Sequence, residues 1–510
     1  MDHLFNQLDV AIVAGEARYP ADPPFDPPDD YPERPPHTTR LDRSNAAYRM
    51  VREALWRLGL DTENYGRPSW NPLGQLIKRG QRVLIKPNFV LHFNAGGGPL
   101  EAVVTHPAIL RAIADYVMIA LTDAGEIIIG DAPQMNADFA ALCAQTGMDA
   151  LAEYLQHACE RRGIRFQLID FRQEQTVYKH GIIWDRIPLN DPASHPVCVR
   201  LGDESYMEAI NPSRLYGADY ARRQTVSAHQ RHRHEYVIAS AVLASDVVIS
   251  VPKLKVHRKV GTTLNLKNMV GINTDKNHLA HYRIGAPAEG GDEFDSPAWD
   301  DRAERRLMDA LLGADRRFGK QLFLGWRAFR KLYHRVSGKP KAQALTYGNW
   351  RGNDTAWRMV LDLNRVLRFA DASGDLQAEP TRRYFSVVDG LIGGDGEGPL
   401  HPDPYPSGVV LAGFNPLAVD WVATRLMGFD PARLRLYANA TEQMREWLPG
   451  FDASQCRIHS NVAPWEGLLN QAEPVFHFRA PAGWRGAAEL YEIADEARAT
   501  TPAPLGAISQ

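Results

Sequence analysis

The amino-acid sequence predicts an α/β protein: a mostly parallel sheet with helices on both faces, carrying insertions. Three short runs, 82–85 (RVLI), 126–130 (EIIIG) and 165–170 (RFQLID), are apolar and too brief for helices. The segments between them repeat apolar residues at helical spacing, so strand and helix alternate at short intervals. The first two runs are apolar almost without a break, as expected of strands covered on both faces.

The elements follow in order. Residues 20–36 (PADPPFDPPDDYPERPP) hold too much proline for a helix or a central strand and read as a surface arm. Ala46, Met50, Val51, Leu55 and Leu58 share one face of a helix over 44–58. Pro87 stops the strand at 82–85, and Gly96, Gly97 and Gly98 form a loop. His106-Pro107 then opens a helix carrying Ile109, Ile113, Val117 and Leu121, with proline in the first turn where no N–H is missed. Residues 139–155 are expected to form one helix. Residues 172–234 are polar and irregular, with antiparallel additions such as 197–201. The α/β pattern returns at 246–251 (DVVISV) and leaves again at 274–347, an insertion with a loop at 285–295 and a basic helical stretch at 302–336. A helix at 354–367, strands at 384–389 and 409–412 and a helix at 416–427 complete the core. The expected division is an N-terminal arm and helix (1–75), the first part of the core (76–273), the insertion (274–350), the second part of the core (351–475) and a tail (476–510).

Composition narrows the function. The 510 residues carry 58 Lys and Arg against 61 Asp and Glu, a net charge of −3, which gives no footprint of a nucleic-acid binder. The four cysteines, Cys143, Cys159, Cys198 and Cys456, contain no C-x-x-C pair, so no cysteine-ligated iron–sulfur cluster or zinc ribbon is expected. Sparse cysteine, no secretory pattern at the start and no apolar stretch of membrane length lead to the expectation of a cytoplasmic protein that is not integral to a membrane. A peripheral membrane contact stays open, as does the oligomeric state.

Ligands of open α/β sheets bind beyond the carboxyl ends of the strands. That rule selects Lys86 and Asn88 after the first strand, Asp131 after the second, Lys253, Lys255 and His257 after 246–251, and Asp389 after 384–388. The stretch 252–271 (PKLKVHRKVGTTLNLKNMVG) sets Lys253, Lys255, His257 and Lys267 among Thr262, Asn265 and Asn268. Cations beside hydroxyl and amide donors suit a phosphate or carboxylate, with a helix expected to start near Gly261-Thr262 and expose backbone N–H groups. The run 389–399 (DGLIGGDGEGP) offers Asp389, Asp395 and Glu397 as oxygen ligands for Mg2+ or another divalent cation, or a glycine turn with solvated acids. His106 sits beside a strand end where an acid or base could reach substrate, so His106, Asp131, Asp389 and Glu397 are the catalytic candidates. Asp420 is a supporting carboxylate. His229, His232 and His234 interleave with Arg231 and Arg233, which disfavours a metal there.

Seven blocks in order, VLIKPNFV, VVTHPAILRAIADYV, IIIGDAP, SDVVISVPKLKVH, TLNLKNMVG, VVDGLIGGDGEGP and NPLAVDWVATRLMG, resemble the domain of unknown function 362 family across residues 81–430. The resemblance implies one α/β core with insertions and supplies no reaction. Many such relatives carry a ferredoxin-like module with cysteine-ligated clusters, which this sequence lacks. The expected function is therefore an enzyme acting on a small or medium anionic metabolite, phosphorylated or carboxylated, by proton or group transfer with or without a divalent metal. Two other readings stay open: a redox-associated protein working with an iron–sulfur partner, and a non-enzymatic ligand-binding or scaffold protein.

Overall fold

The computed structural model describes residues 3–34, 40–180, 182–189, 191, 195–218, 221–295, 299–312, 317–337, 346–443 and 451–491. The end of the proline-rich segment, at 35–36, and residues 492–510 of the tail lie outside them.

The apolar runs read from the sequence do assemble into one sheet. Its parallel half runs Arg383–Glu397, Val247–Val251, Arg82–Pro87, Gly125–Asp131, Ile164–Asp170. Ile85 pairs with Ile249 on one side and Ile129 on the other, so the most apolar residues occupy the sheet centre. Beyond Arg383–Glu397 the sheet turns antiparallel through Val409–Gly413 and Asp9–Ala14, and Arg457–Ser460 closes that edge parallel to Asp9–Ala14. Side chains alternate across the pleat. Val83, Ile85, Ile127, Ile129 and Ile249 enter one core with the helices Ala46–Arg57, Pro107–Leu121 and Met148–Glu160. Leu84, Ile128 and Val248 enter the other with Ala356–Phe369, Pro416–Leu426 and Arg435–Gln443.

Local chemistry sets the helix starts. Asn45, His106, Asp138 and Asn415 each accept a hydrogen bond from a first-turn backbone N–H. The helix expected over 139–155 is two helices, because Gly147 adopts φ +74° and ends Phe139–Thr146 before Met148–Glu160 begins. The arm lies across the first helices: Asn45 donates to the carbonyls of Phe25 and Asp26, and Arg52 pairs with Glu33 at 2.7 Å.

Two local expectations need correction. Residues Gly261–Thr263 form a strand paired with Lys253–His257, and the helix that follows is only Asn265–Asn268. Its first N–H groups are not free: those of Asn265 and Leu266 donate to the Asp420 carboxylate at 2.8 and 2.9 Å. The run 389–399 is not a tight turn but lies mostly within the long strand Arg383–Glu397, and its glycines make room. A Cβ on Gly394 would stand 2.6 Å from the Lys255 Cβ, and one on Gly398 would strike the Val256 carbonyl at 2.2 Å.

Candidate functional site

A cleft of about 510 Å3 opens beyond the carboxyl ends of the strands Arg82–Pro87 and Gly125–Asp131. Its floor is a buried network. The Lys86 ammonium lies 2.8 Å from Asp131 and donates to the Pro87 carbonyl and to Asn268 Oδ1 at 3.1 Å. Asn268 returns a bond to the Lys86 carbonyl, tying the Asn265–Asn268 turn to the first strand. Asp131 also accepts from the Phe89 backbone N–H at 2.6 Å. Gly271 passes so close that a Cβ there would lie 1.8 Å from Asp131 Oδ1 and 2.6 Å from Lys86 Nζ.

Cations crowd above this floor. Lys255, Lys259, Lys267, Lys276 and Arg258 line the cleft, and among the described residues Asp131 is the only carboxylate that lines it. Lys276 donates to the Ala132 carbonyl at 2.7 Å, and Lys255 to the Val103 carbonyl. Lys267 is buried and makes no hydrogen bond or ion pair with any described residue. Burial foremost, then the positive charge of Lys259 and Lys86, brings the Lys267 ammonium down to about 7. Burial also brings Lys276 to about 7, against the pull of Asp131. His281, half-buried, is brought to about 3 by desolvation and then by the charges of Lys259 and Lys267. The cleft thus concentrates more lysines than the nearby carboxylates offset, and burial brings Lys259, Lys267 and Lys276 each down to about 7.

The sequence-selected residues divide between two places. Lys255, His257, Lys267, Asn88, Asn268 and Asp131 line the cleft, with Lys86 beneath it. Lys253, His106 and Asp389 belong to a separate cluster under the arm. Lys253 pairs with Asp389 at 3.1 Å and donates to the Tyr19 hydroxyl; Tyr19 donates to Asp389 and stacks on His106, ring centroids 4.0 Å apart. The His106 backbone N–H also donates to Asp389, and its Nδ1 caps the helix Pro107–Leu121. Burial, then Lys253, brings His106 to about 3, so it enters neutral pH without a proton. Lys253 and Lys255 meet different partners because the ladder shifts register between them, Lys253 standing opposite Asp389 and Lys255 opposite Gly394.

The proposed metal ligands do not converge. Asp389 faces Lys253, Asp395 is held by Arg479 at 2.6 Å, and Glu397 is held by Arg258 at 2.9 Å. None of them lines the cleft beside Asp131. Thr262 bonds the Tyr437 hydroxyl in the core, and Asn265 serves Asp420. Among the described residues, the one group of acids and histidine close enough to share an ion is Asp203, Glu208 and His232, at the surface. Lys276 and the far wall of the cleft, Tyr216, Tyr282 and Met308, escaped the sequence reading. Lys276 follows the last polar block by only five residues after Gly271, the one signal that could have found it.

A family model described as a domain of unknown function (DUF362) matches residues 83–199 and 190–425. The chain belongs to that family. The DUF362 match takes in the cleft floor, the Lys253–His257 strand and the insertion, and leaves out Asp9–Ala14 and Arg457–Ser460, which close the sheet edge. A thylakoid-associated protein of Synechocystis is 21% identical over 367 residues, 71% of this chain and 68% of that protein.

Proposed function

We propose that the chain is an enzyme that holds a small or medium anionic metabolite, phosphorylated or carboxylated, in this cleft and moves a proton on it. The observation that supports this reading is the imbalance of charge: four lysines face a volume whose one described carboxylate is already paired with Lys86, while the arginine there, Arg258, is paired with Glu397. An anionic group would supply the missing counter-charge through charge-assisted hydrogen bonds. A cleft of about 510 Å3 falls in the size range of small-molecule sites. Lys267, unpaired and brought to about 7, is the proton donor in this reading: it meets the anion as an ammonium, and an acid works best with a pKa near the working pH. The same imbalance speaks against a divalent cation in the cleft, which would need several oxygen ligands. Four free thiols suit a cytoplasmic site of action.

The test is calorimetric titration of the full chain with inorganic phosphate, pyrophosphate and citrate, beside Lys267→Ala and Lys255→Ala. A charge-assisted contact is worth about 1.5–3 kcal/mol, so either variant should bind about tenfold more weakly or worse. Absence of binding by any of the three anions, or equal binding by both variants, would remove the reading.

A further inference from the structure

The helix Arg317–Ser337 in the insertion is turned inside out relative to the other helices. Phe318, Leu322, Phe329 and Leu332, spaced by four, seven and three residues, lie on one stripe and are 70%, 47%, 54% and 59% exposed. The side that meets the protein carries polar anchors as well as apolar ones. Lys320 donates to the Trp184 carbonyl and Arg327 to the His180 carbonyl, Arg330 pairs with Glu304, and Phe323 packs with Met308 and Leu312. The hairpin of Glu174–Lys179 and Ile182–Pro188, which supplies two of those carbonyls or their neighbours, adds Tyr178 and Ile187 as exposed apolar side chains.

We propose that this helix docks the protein on the surface of an anionic lipid bilayer. A water-facing helix should show charge outward and apolar residues inward, and here phenylalanine and leucine face outward. The 21-residue sequence contains six Lys or Arg and neither Asp nor Glu. The exposed apolar stripe sits on a helix of net positive charge whose Lys331 is open to solvent, and this combination is complementary to a surface that is apolar just beneath anionic headgroups. An acid-free helix has nothing to offer a basic partner, and a second copy of the same helix would set like charges together. No described helix is long and apolar enough to cross a membrane, so this one lies in the interface plane, spanning about 30 Å. The docking surface adjoins the lysine cleft at Tyr178 and Met308, but the stripe itself lines no part of the cleft, and the proposal does not rest on what the cleft binds.

The experiment is co-sedimentation of the full chain with vesicles of phosphatidylcholine alone or mixed with phosphatidylglycerol. The chain should sediment with the mixed vesicles, weakly with phosphatidylcholine alone, and less as salt rises. Phe329→Glu and Phe318→Glu should each weaken binding about tenfold or more, since each removes a buried aromatic from the interface. Lys331→Glu should reduce the preference for phosphatidylglycerol while leaving the weaker binding to phosphatidylcholine. All three side chains are exposed, and unchanged circular dichroism serves as the folding control. Failure to sediment with either vesicle, or undiminished binding by Phe329→Glu, overturns the proposal. Loss of a concentration-dependent dimer in Phe329→Glu, with no vesicle binding by the parent chain, overturns it in favour of a second copy.

Discussion

Replacing Lys267 by Met should make the unliganded protein more stable and its anion binding weaker. Each tenfold change in proton affinity is worth about 1.4 kcal/mol. A lysine brought from 10.5 to about 7 therefore burdens the folded state by about 5 kcal/mol while it carries its proton. The sign follows from linkage. Above about 7 the folded state releases the proton while the unfolded chain keeps it, so stability rises with pH until both are neutral near 10.5. The burden is full below pH 7 and gone above 10.5. Methionine keeps the length of the stem and removes the charge, and substitutions of buried charge by apolar groups of similar volume stabilise by about 1–4 kcal/mol. Urea denaturation at pH 6 should show a gain of that order, and the gain should shrink steadily as the pH is raised. With saturating pyrophosphate the order should reverse, because only the parent chain gains the binding energy. A Lys267→Met protein that is less stable than its parent at pH 6, or that binds pyrophosphate equally, would refute the reasoning.

Other outcomes follow from the same geometry. Gly271→Ala should lower stability by about 1–3 kcal/mol and weaken anion binding together, because its methyl group would enter the Lys86–Asp131 pair; an unchanged urea midpoint contradicts this. Asp389→Ala should cost about 3–5 kcal/mol by leaving Lys253 buried without its carboxylate. Calorimetry on that variant should show unaltered anion affinity, since neither residue lines the cleft. Anion affinity in the parent chain should fall as pH rises above about 7, with proton uptake visible as a dependence of binding heat on the buffer, because Lys267 and Lys276 must be charged to bind.

The parallel half of the sheet was legible in the sequence because its strands are short, apolar and buried on both faces, as in IIIG at 127–130. The polar stretch 252–271 added Lys267, and the rule that sites lie beyond strand ends then reached the cleft residues Lys86, Asn88, Asp131, Lys255 and His257. It also selected Lys253, Asp389 and His106, which satisfy the same positional rule yet face the arm. A register shift between Lys253 and Lys255 makes that difference, and no residue pattern announces such a shift. The glycines of 389–399 suggested a turn because a glycine's lack of side chain is the same in sequence whether it permits bending or close approach. Tyr282 and Met308 come from the insertion, where neither periodicity nor spacing marks which side chain reaches back to the cleft. Asp9–Ala14 is absent from the strands expected from the sequence, because nothing local shows which distant strands such a short apolar run will join.

The strand Asp9–Ala14 sets a clock on biosynthesis. Val10 has two neighbours in the sheet, Gly413 and Ile458, and both are made long after it. A ribosome adds about 5–20 residues per second, so the about 400 residues between Val10 and its first partner take about 20–80 s to appear. During that interval Val10, Ala11, Ile12 and Val13, all buried in the finished sheet, have no native strand to pair with. The parallel half, from Arg82–Pro87 to Ile164–Asp170, is available long before. Of the described strands the earliest in the sequence is thus among the last to be seated, and a nascent chain halted before Val409–Gly413 presents an open apolar strand to whatever it meets.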